Sequence, residues 1–257
     1  MEVKSTSPTR HLAAAPLDSR RFGINVLRGT IDAGVDTAEV IEEIEASDAD
    51  LVIFRVPAGC TEVPTGLQRR GNVVIHADTL VYYGMDLDRG SAPPAEAKVQ
   101  RAADADRAAL TGIAERSFCN YRAHYAANPL LSRDLVLSGY VEWALSRLSQ
   151  DRANEATWVV IEEGTVAGFA TCDVSGDSVE IILNAVHPDF ERRGLYGMLL
   201  RHIQHHYAQQ SLKRLLISTQ IWNFTVQRQW GRNGLQLQQA FDTYHMDRRL
   251  TPSSGKR

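Results

Sequence analysis

Four features that identify many protein classes are scarce or missing in this sequence. The 257 residues include only three cysteines, Cys60, Cys119 and Cys172, and this odd, widely spaced set predicts neither a disulfide framework nor a cysteine-rich zinc site. No apolar run approaches the roughly 20 residues of a membrane-spanning helix, and the N-terminus has no convincing signal-peptide core. The net charge of −3 does not suit a nucleic-acid binder. We therefore expect a cytoplasmic protein that binds neither membranes nor nucleic acid.

The composition that remains is typical of a globular protein. Hydrophobic residues make up 44% of the chain and charged residues 23%, both ordinary values, and the length allows one large or two small domains. The segment DRGSAPPAEAKVQ combines adjacent prolines with glycine and small residues, which favours a linker. The predicted organisation is a flexible N-terminus at 1–20, a smaller α/β domain at 21–87, the linker at 88–100, a second domain at 101–250 and a flexible tail at 251–257.

Both predicted domains alternate strand patterns with helical ones. In the first, FGINVLRGTI, LVIFRVP and NVVIHADTLVYYGMDL are typical of strands, and the segments between them have helical spacing, which gives the order β-α-β-α-β. In the second, WVVIEEGTVAGFATCDV predicts two strands around a Glu-Gly turn. Strands that alternate with helices predict an α/β fold.

The most informative stretch is residues 179–210, VEIILNAVHPDFERRGLYGMLLRHIQHHYAQQ. It begins as a buried-strand pattern that ends before Pro188. A helix follows Gly194, and its apolar residues recur at every fourth position, at Leu195, Leu199, Ile203 and Tyr207. Free amide groups at a helix start attract anions, and Arg192 and Arg193 add charge suited to phosphate. The stretch therefore predicts a phosphate-binding strand–turn–helix.

This stretch resembles motif A of the GNAT superfamily of acyl-CoA-dependent N-acyltransferases, in which the strand is followed by Gln/Arg-x-x-Gly-x-Gly/Ala. Gly194 matches the first glycine, while Glu191 and Tyr196 depart from the pattern. The resemblance implies that backbone amides of the turn hold the CoA pyrophosphate and that amides at the strand end polarise the thioester carbonyl. The residues implied in CoA binding are Ala185, Val186, Arg192, Arg193, Gly194, Leu195, Tyr196 and Gly197. A phosphate-binding loop of another kind is the alternative, because a single glycine-rich turn is a weak signal.

A second motif of the same family follows downstream. The frame Asn-x-x-Ala-x-x-x-Tyr-x-x-x-Gly is occupied here by Asn223, Val226, Trp230 and Gly234, which makes Asn223 a candidate CoA contact. Trp230 stands where many members carry the tyrosine that protonates the departing thiolate, and an indole N–H cannot act as that acid. The resemblance implies the GNAT fold, a mixed and mostly antiparallel sheet flanked by helices, preceded by a smaller, partial GNAT-like α/β domain.

Short segments also resemble one branch of the superfamily, which acylates amino groups of nucleotide-linked deoxysugars (the TDP-fucosamine acetyltransferase type). These segments are LNAVHP, RGLY, STQ-x-x-N and TYH. The resemblance implies transfer of an acetyl or short hydroxyacyl group from acyl-CoA to a dTDP-linked amino-deoxysugar, without a metal. The first domain has no glycine-rich turn comparable to that at residues 193–197, so we expect it to support the fold or a homo-oligomer and to bind no second CoA. Two alternatives stay open: acylation of another small amine or a protein N-terminus, and a non-catalytic CoA-binding regulatory module.

Acyl transfer to an amine needs a proton acceptor, and four ionisable residues are candidates: His245, His187, His124 and Glu180. We expect His245 to be the general base, because it lies in the closing strand, which borders the acceptor site in this fold, and an imidazole pKa near 6.5 suits neutral pH. A structural histidine on the sheet is the alternative. Asn184, at the end of the strand, is expected to orient the amine or a sugar hydroxyl through its carboxamide.

A polar and aromatic loop supplies the candidate substrate contacts Tyr121, Arg122, His124 and Tyr125. Arginine suits a nucleotide diphosphate and aromatic rings suit a base or sugar face, although a packed loop with a solvated arginine is the alternative. His202, His205 and His206 have the spacing of metal ligands on a helix, but no acidic third ligand accompanies them. We therefore predict a polar helix face and no metal site.

Overall fold

The computed structural model describes residues 11–93, 98–148 and 154–250. The chain divides into two compact units. Of the described residues, the first unit takes 11–80, 123–132 and 240–250, and the second takes those within 81–122 and 133–239. Both units are therefore discontinuous in sequence, unlike the two ranges predicted from composition.

The described elements follow one another in chain order. They are β1 (Ala13–Ala14), α1 (Pro16–Phe22), β2 (Val26–Thr30), α2 (Thr37–Ala46), β3 (Leu51–Pro57), α3 (Glu62–Arg69), β4 (Val74–Asp86), β5 (Val99–Arg101), α4 (Arg107–Phe118), α5 (Arg133–Leu145), β6 (Glu155–Glu162), β7 (Thr165–Ser175), β8 (Ser178–Val186), α6 (Leu195–Gln209), β9 (Arg214–Gln220), α7 (Phe224–Arg232) and β10 (Gln236–Asp247). Strand pairing is mixed and mostly antiparallel, which confirms the predicted fold class.

The predicted β-α-β-α-β order is present as β2, α2, β3, α3 and β4, and the last residues of β4 belong to the second unit. Within the first unit β2 is parallel to β3, and β3 is antiparallel to β10. The segment expected to be a flexible N-terminus also contains β1 and α1. Pro16 begins α1 and Gly23, at φ +66°, ends it, which are the positions where each residue favours a helix boundary. Residues 1–10, 94–97 and 251–257 of the predicted tails and linker lie outside the described residues.

In the second unit the strand order is β9-β8-β7-β6-β5. The apolar stripe predicted for α6 is buried: Leu195, Leu199, Ile203 and Tyr207. Leu199, Ile203 and Tyr207 pack in one cluster with residues of β8 and β9, which fixes α6 behind these two strands. Among the described residues, none of the helices has both the length and the apolar character that crossing a membrane requires.

A β-bulge interrupts the pairing of β7 with β8. Thr171 lies opposite Leu183 and Cys172 lies opposite Ile181, so that Ile182 is the extra residue. The buried Thr171 hydroxyl accepts a hydrogen bond from the Leu183 amide at 3.0 Å and is 3.2 Å from the Leu183 carbonyl oxygen. This side chain therefore replaces a backbone partner at the point where β8 bends.

Beyond the bulge, β8 and β9 are no longer paired. Their parallel pairing joins residues 178–181 to 214–217, although β8 continues to Val186 and β9 to Gln220. We call the space bounded by residues 182–186 and 218–220 the β8–β9 gap. Backbone donors on this side of β8 are left without a strand partner.

We expect Thr171→Val to destabilise the protein by about 1–3 kcal/mol, because valine leaves the buried Leu183 amide without its acceptor. Urea unfolding measures this change. Thr157→Val is the matched control: Thr157 is equally buried, but its hydroxyl donates to the Arg147 carbonyl oxygen and no amide is orphaned. Equal losses for both variants would contradict the role given to Thr171.

Candidate functional site

The turn before α6 has the backbone geometry of an anion site. Gly194 adopts φ +79° and Arg192 adopts φ +63°, both in the left-handed region. A Cβ added at Gly194 would meet nothing within 4 Å, so the turn faces open space. No side chain caps the start of α6. The first amide groups of the helix are therefore available to a ligand, as a phosphate needs.

The two predicted arginines differ in their surroundings. Arg193 donates to Glu163 at 3.1 Å, lies 3.8 Å from Glu162 and stacks over the Phe190 ring at 5.1 Å. Arg192 is exposed and forms no ion pair within the part of the chain that the structure describes. Its positive charge is therefore more available to a bound anion than that of Arg193.

The end of β8 directs its amides alternately to its two sides. The amides of Leu183 and His187 point towards β7, where they donate to the Thr171 hydroxyl and to the Ala167 carbonyl oxygen. Because successive amides of a strand alternate in direction, those of Asn184 and Val186 face the β8–β9 gap. The amide of Ala185, predicted as a donor, points towards β7 instead. Asn184 takes its place, and the half-buried side chain of Asn184 lies at the same strand end.

A polar and aromatic cluster lies at the end of β9. The Tyr121 hydroxyl donates to the Gln220 side chain and is 3.3 Å from the Thr219 hydroxyl. The Asn223 carboxamide donates to the same Thr219 hydroxyl at 3.2 Å. The structure thus brings together Tyr121 and Asn223, which were predicted for different partners. Sequence reasoning missed Thr219 and Gln220 as site residues, although both lie in the STQ-x-x-N segment that carried the family resemblance.

Arg122 forms a platform with Trp222. The guanidinium carbon lies 4.6 Å from the centre of the indole ring, a cation–π arrangement. The indole N–H donates to the Arg122 carbonyl oxygen at 3.0 Å. Arg122 is exposed, so its charge stays accessible to a ligand.

Two of the departures from the family motifs, Tyr196 and Trp230, contact each other. Trp230 is fully buried, and its indole N–H donates to the Tyr196 hydroxyl at 2.7 Å. The Tyr83 ring packs edge-on against Trp230 at 5.2 Å. A phenol on α6 and an indole on α7 thus form one hydrogen-bonded pair next to the turn at Gly194.

His124 and Tyr125 belong to the first unit, whereas Tyr121 and Arg122 belong to the second. The Tyr125 hydroxyl donates to Asp18 at 2.9 Å and accepts from Arg28 at 3.0 Å. Arg28 also pairs with Asp18 at 2.8 Å. The hydroxyl of Tyr125 is therefore already occupied by a charged network, and the predicted substrate loop is divided between the two units.

His245 is fully buried in the first unit and contacts His124. An Arg28 nitrogen lies 3.4 Å from Nε2 of His124, and a guanidinium can only donate. Neutral His124 therefore carries its hydrogen on Nδ1, which donates to Nε2 of His245 at 2.8 Å. His245 then carries its own hydrogen on Nδ1, which has no hydrogen-bond partner among the described residues. This pattern leaves His245 no free lone pair, which does not favour the predicted general-base role.

Burial keeps this histidine pair neutral. Desolvation, followed by the positive charge of Arg28, lowers the pKa of His245 from 6.5 to about 4. The pKa of His124 falls well below its usual value for the same two reasons. Neither ring carries a positive charge at neutral pH.

We expect the free energy of unfolding of His245→Gln to fall less steeply than that of the wild type as the pH is lowered. The pKa of His245 is lower in the folded than in the unfolded protein, so the unfolded state binds more protons between about pH 6.5 and 4. Stability is therefore full above pH 6.5 and is lost as the pH falls, by on the order of 3 kcal/mol for this group. Urea unfolding at several pH values tests this. His205→Gln, at an exposed histidine, should keep the wild-type profile, and an unchanged profile for His245→Gln would contradict the argument.

The helix histidines pack rather than form a ligand cluster. The rings of His202 and His206 lie 4.7 and 4.4 Å from the Trp158 ring, and burial lowers the pKa of both. In residues 11–93, 98–148 and 154–250, no group of three or more histidine, cysteine or acidic side chains could hold a metal ion.

Comparisons with known proteins agree with this geometry. Residues 125–234, which contain the Gly194 turn, β8, β9 and α7, match the model of the acetyltransferase (GNAT) family. A search of curated protein sequences found no match. A GCN5-related N-acetyltransferase from Sphaerobacter thermophilus is similar in structure, with 14% identity, a TM-score of 0.61, and coverage of 94% of this chain and 77% of its own.

Two further solved structures are similar. A GCN5-related N-acetyltransferase from Kribbella flavida has 13% identity, a TM-score of 0.58, and coverage of 86% of this chain and 81% of its own. A putative GNAT-family acetyltransferase from Novosphingobium aromaticivorans has 14% identity, a TM-score of 0.52, and coverage of 86% and 83%. At such identities the likeness establishes the fold. The chain has the GNAT fold, and its residues 125–234 are similar to the acetyltransferase (GNAT) family.

Proposed function

We propose that this protein transfers an acyl group from acyl-CoA to an amine. The observation that carries this proposal is the open, left-handed turn at Gly194, which exposes the uncapped start of α6 beside the β8–β9 gap. The turn suits the diphosphate of CoA, and Arg192 adds an accessible positive charge. The gap suits an extended chain that pairs with the freed edge of β8 in place of β9.

The chemistry required at the end of this gap matches the groups found there. An amine that attacks the thioester places negative charge on the carbonyl oxygen, and fixed amide donors stabilise such charge. The amides of Asn184 and Val186 face the gap and supply these donors. The carboxamide of Asn184, at the same strand end, is proposed to orient the amine. Asn223, held by Thr219, is proposed to contact the CoA chain near its thioester end.

Calorimetry with CoA tests the binding half of the proposal. Gly194→Ala places a side chain in the left-handed region, which costs about 1–2 kcal/mol, and we expect CoA affinity to fall about tenfold or more as the turn relaxes. Gly176→Ala is the matched control, because Gly176 has φ +60° and equally open space but lies in the turn between β7 and β8. A stoichiometry of one CoA per chain is expected. Equal CoA affinities for the two variants would contradict the assignment.

For the acceptor we propose a dTDP-linked amino-deoxysugar, acylated with an acetyl or short hydroxyacyl group. Its support is the family resemblance of the STQ-x-x-N segment together with the Arg122–Trp222 platform. Arginine suits a diphosphate, and an indole face suits a base or sugar ring. The platform and Tyr121 lie next to the residues proposed to contact the thioester end of CoA.

Free-thiol release from acetyl-CoA tests the acceptor. The panel contains dTDP-amino-deoxysugars, aminoglycosides, other small amines and peptides with a free N-terminus. We expect the nucleotide sugars to give the highest kcat/KM. Arg122→Gln should lower kcat/KM for the nucleotide sugar about tenfold, chiefly through KM, because a diphosphate contact acts in the ground state. Preference for an aminoglycoside or a peptide would redirect the assignment to another amine.

A non-catalytic CoA-binding module is the second candidate function. Two observations favour it: the indole of Trp230 at the position of the usual acid, and the occupied lone pairs of His245. Under this function the protein binds acyl-CoA but releases no thiol with any amine of the panel. If the protein does transfer acyl groups, the kcat of His245→Gln shows whether His245 is the general base. An unchanged kcat at neutral pH means that it is not.

A further inference from the structure

The hydroxyl of Tyr196 has a hydrogen that no described residue accepts. An indole N–H is a donor only, so the 2.7 Å bond from Trp230 uses a lone pair of the Tyr196 oxygen. The phenolic hydrogen is then left to point elsewhere. A half-buried hydroxyl of this kind normally finds an acceptor in solvent or in a ligand, so its hydrogen is free to bind one.

The position of Tyr196 indicates where this ligand lies. Tyr196 is the second residue of α6, and helical side chains lean towards the N-terminus of their helix, here towards the Gly194 turn. The Tyr121 phenol is near enough to contribute to the raised pKa of Tyr196, of which burial is the larger cause. Tyr121 in turn contacts Thr219 and Gln220 at the end of β9. The hydrogen bond from Trp230 places the Tyr196 hydroxyl against α7, the helix that follows Asn223 at the end of β9.

The neighbouring donors are already engaged. The Tyr121 hydroxyl donates to Gln220, the Tyr83 hydroxyl donates to Gln227 at 3.3 Å, and the Trp230 indole donates to Tyr196. Within the described part of this cluster, Tyr196 is the phenol whose hydrogen remains available.

We propose that the Tyr196 hydroxyl donates a hydrogen bond to the sulfur of CoA and stabilises the thiolate as it leaves. This inference rests on the proposed acyl transfer. In that step the amine nitrogen bonds to the thioester carbon, the carbon–sulfur bond breaks, and its electron pair stays on sulfur. The amine loses one proton to solvent and the free thiolate takes up one from solvent, while Tyr196 keeps its own.

The environment of Tyr196 suits a donor that keeps its proton. Burial raises the pKa of the phenol above its ordinary value, so the hydroxyl is neutral at every pH at which an acyltransferase works. Trp230 fixes the oxygen from one side, which aims the hydrogen and lowers the cost of ordering it on binding. Trp230 is thus a positioning residue in this arrangement.

The pKa of the bound CoA thiol measures this hydrogen bond without any acceptor amine. A donor to the charged form favours the thiolate, so we expect Tyr196→Phe to raise the pKa of the thiol in the CoA complex by about one unit, a tenfold loss of thiolate at a given lower pH. A pH titration of the ultraviolet thiolate absorbance follows it. Tyr83→Phe is the matched control, since it removes a phenol hydroxyl that packs on Trp230 but already donates to Gln227. Its complex should titrate like wild type.

Equal thiol pKa values for wild type and Tyr196→Phe, with CoA bound in both, would overturn this role for Tyr196. Failure of the wild-type protein to bind CoA would instead overturn the proposed function. If Tyr196→Phe does not fold, Trp230→Phe replaces it, because phenylalanine keeps an aromatic ring in the core and lacks the N–H that aims the hydroxyl. A smaller upward shift of the thiol pKa is then expected, and a titration identical to wild type overturns the inference.

Discussion

The separation of β8 from β9 is the constraint on which the rest of the site depends. Parallel strands that stayed paired to their ends would use the amides of Asn184 and Val186 in the sheet. The pairing of β8 with β9 ends at the bulge at Ile182, which the Thr171 side chain holds, so these amides have no partner strand. A backbone edge without a partner is costly inside a protein. The fold therefore keeps an edge that a CoA chain is proposed to complete.

The donor side of the site is built from backbone, and this explains why it tolerates unusual side chains. Amide groups at the start of α6 and at the end of β8 do not change with residue type, so Glu191 and Tyr196 can stand where the family pattern has other residues. The changes from the family pattern at two positions are matched to each other through their side chains. Tyr196 and Trp230 depart from two different motifs but form one hydrogen-bonded pair, which places a phenol on α6 rather than on α7.

The histidines show the opposite relation between residue type and role. Imidazole is the usual group for proton transfer at neutral pH, and for this reason His245 is the general base predicted from the sequence. In the structure, burial and the charge of Arg28 hold the His124–His245 pair neutral, and both acceptor nitrogens are already bonded. In this protein the two histidines thus form a neutral, hydrogen-bonded pair in the interior of the first unit.

The sequence by itself determined the α/β pattern, the apolar stripe of α6 and the strand–turn–helix around Gly194, because each depends on residues a few positions apart. It also placed Asn223 at the start of α7 through the spacing of a short motif. Only the tertiary structure decided which amides face the gap, that Trp230 meets Tyr196, and that His245 is buried against His124. The last two contacts join residues 34 and 121 positions apart in the sequence, and a local pattern of residues cannot predict contacts at such separations. Strand separation, likewise, depends on a bulge set by Thr171 across the sheet rather than on the sequence of β8 alone.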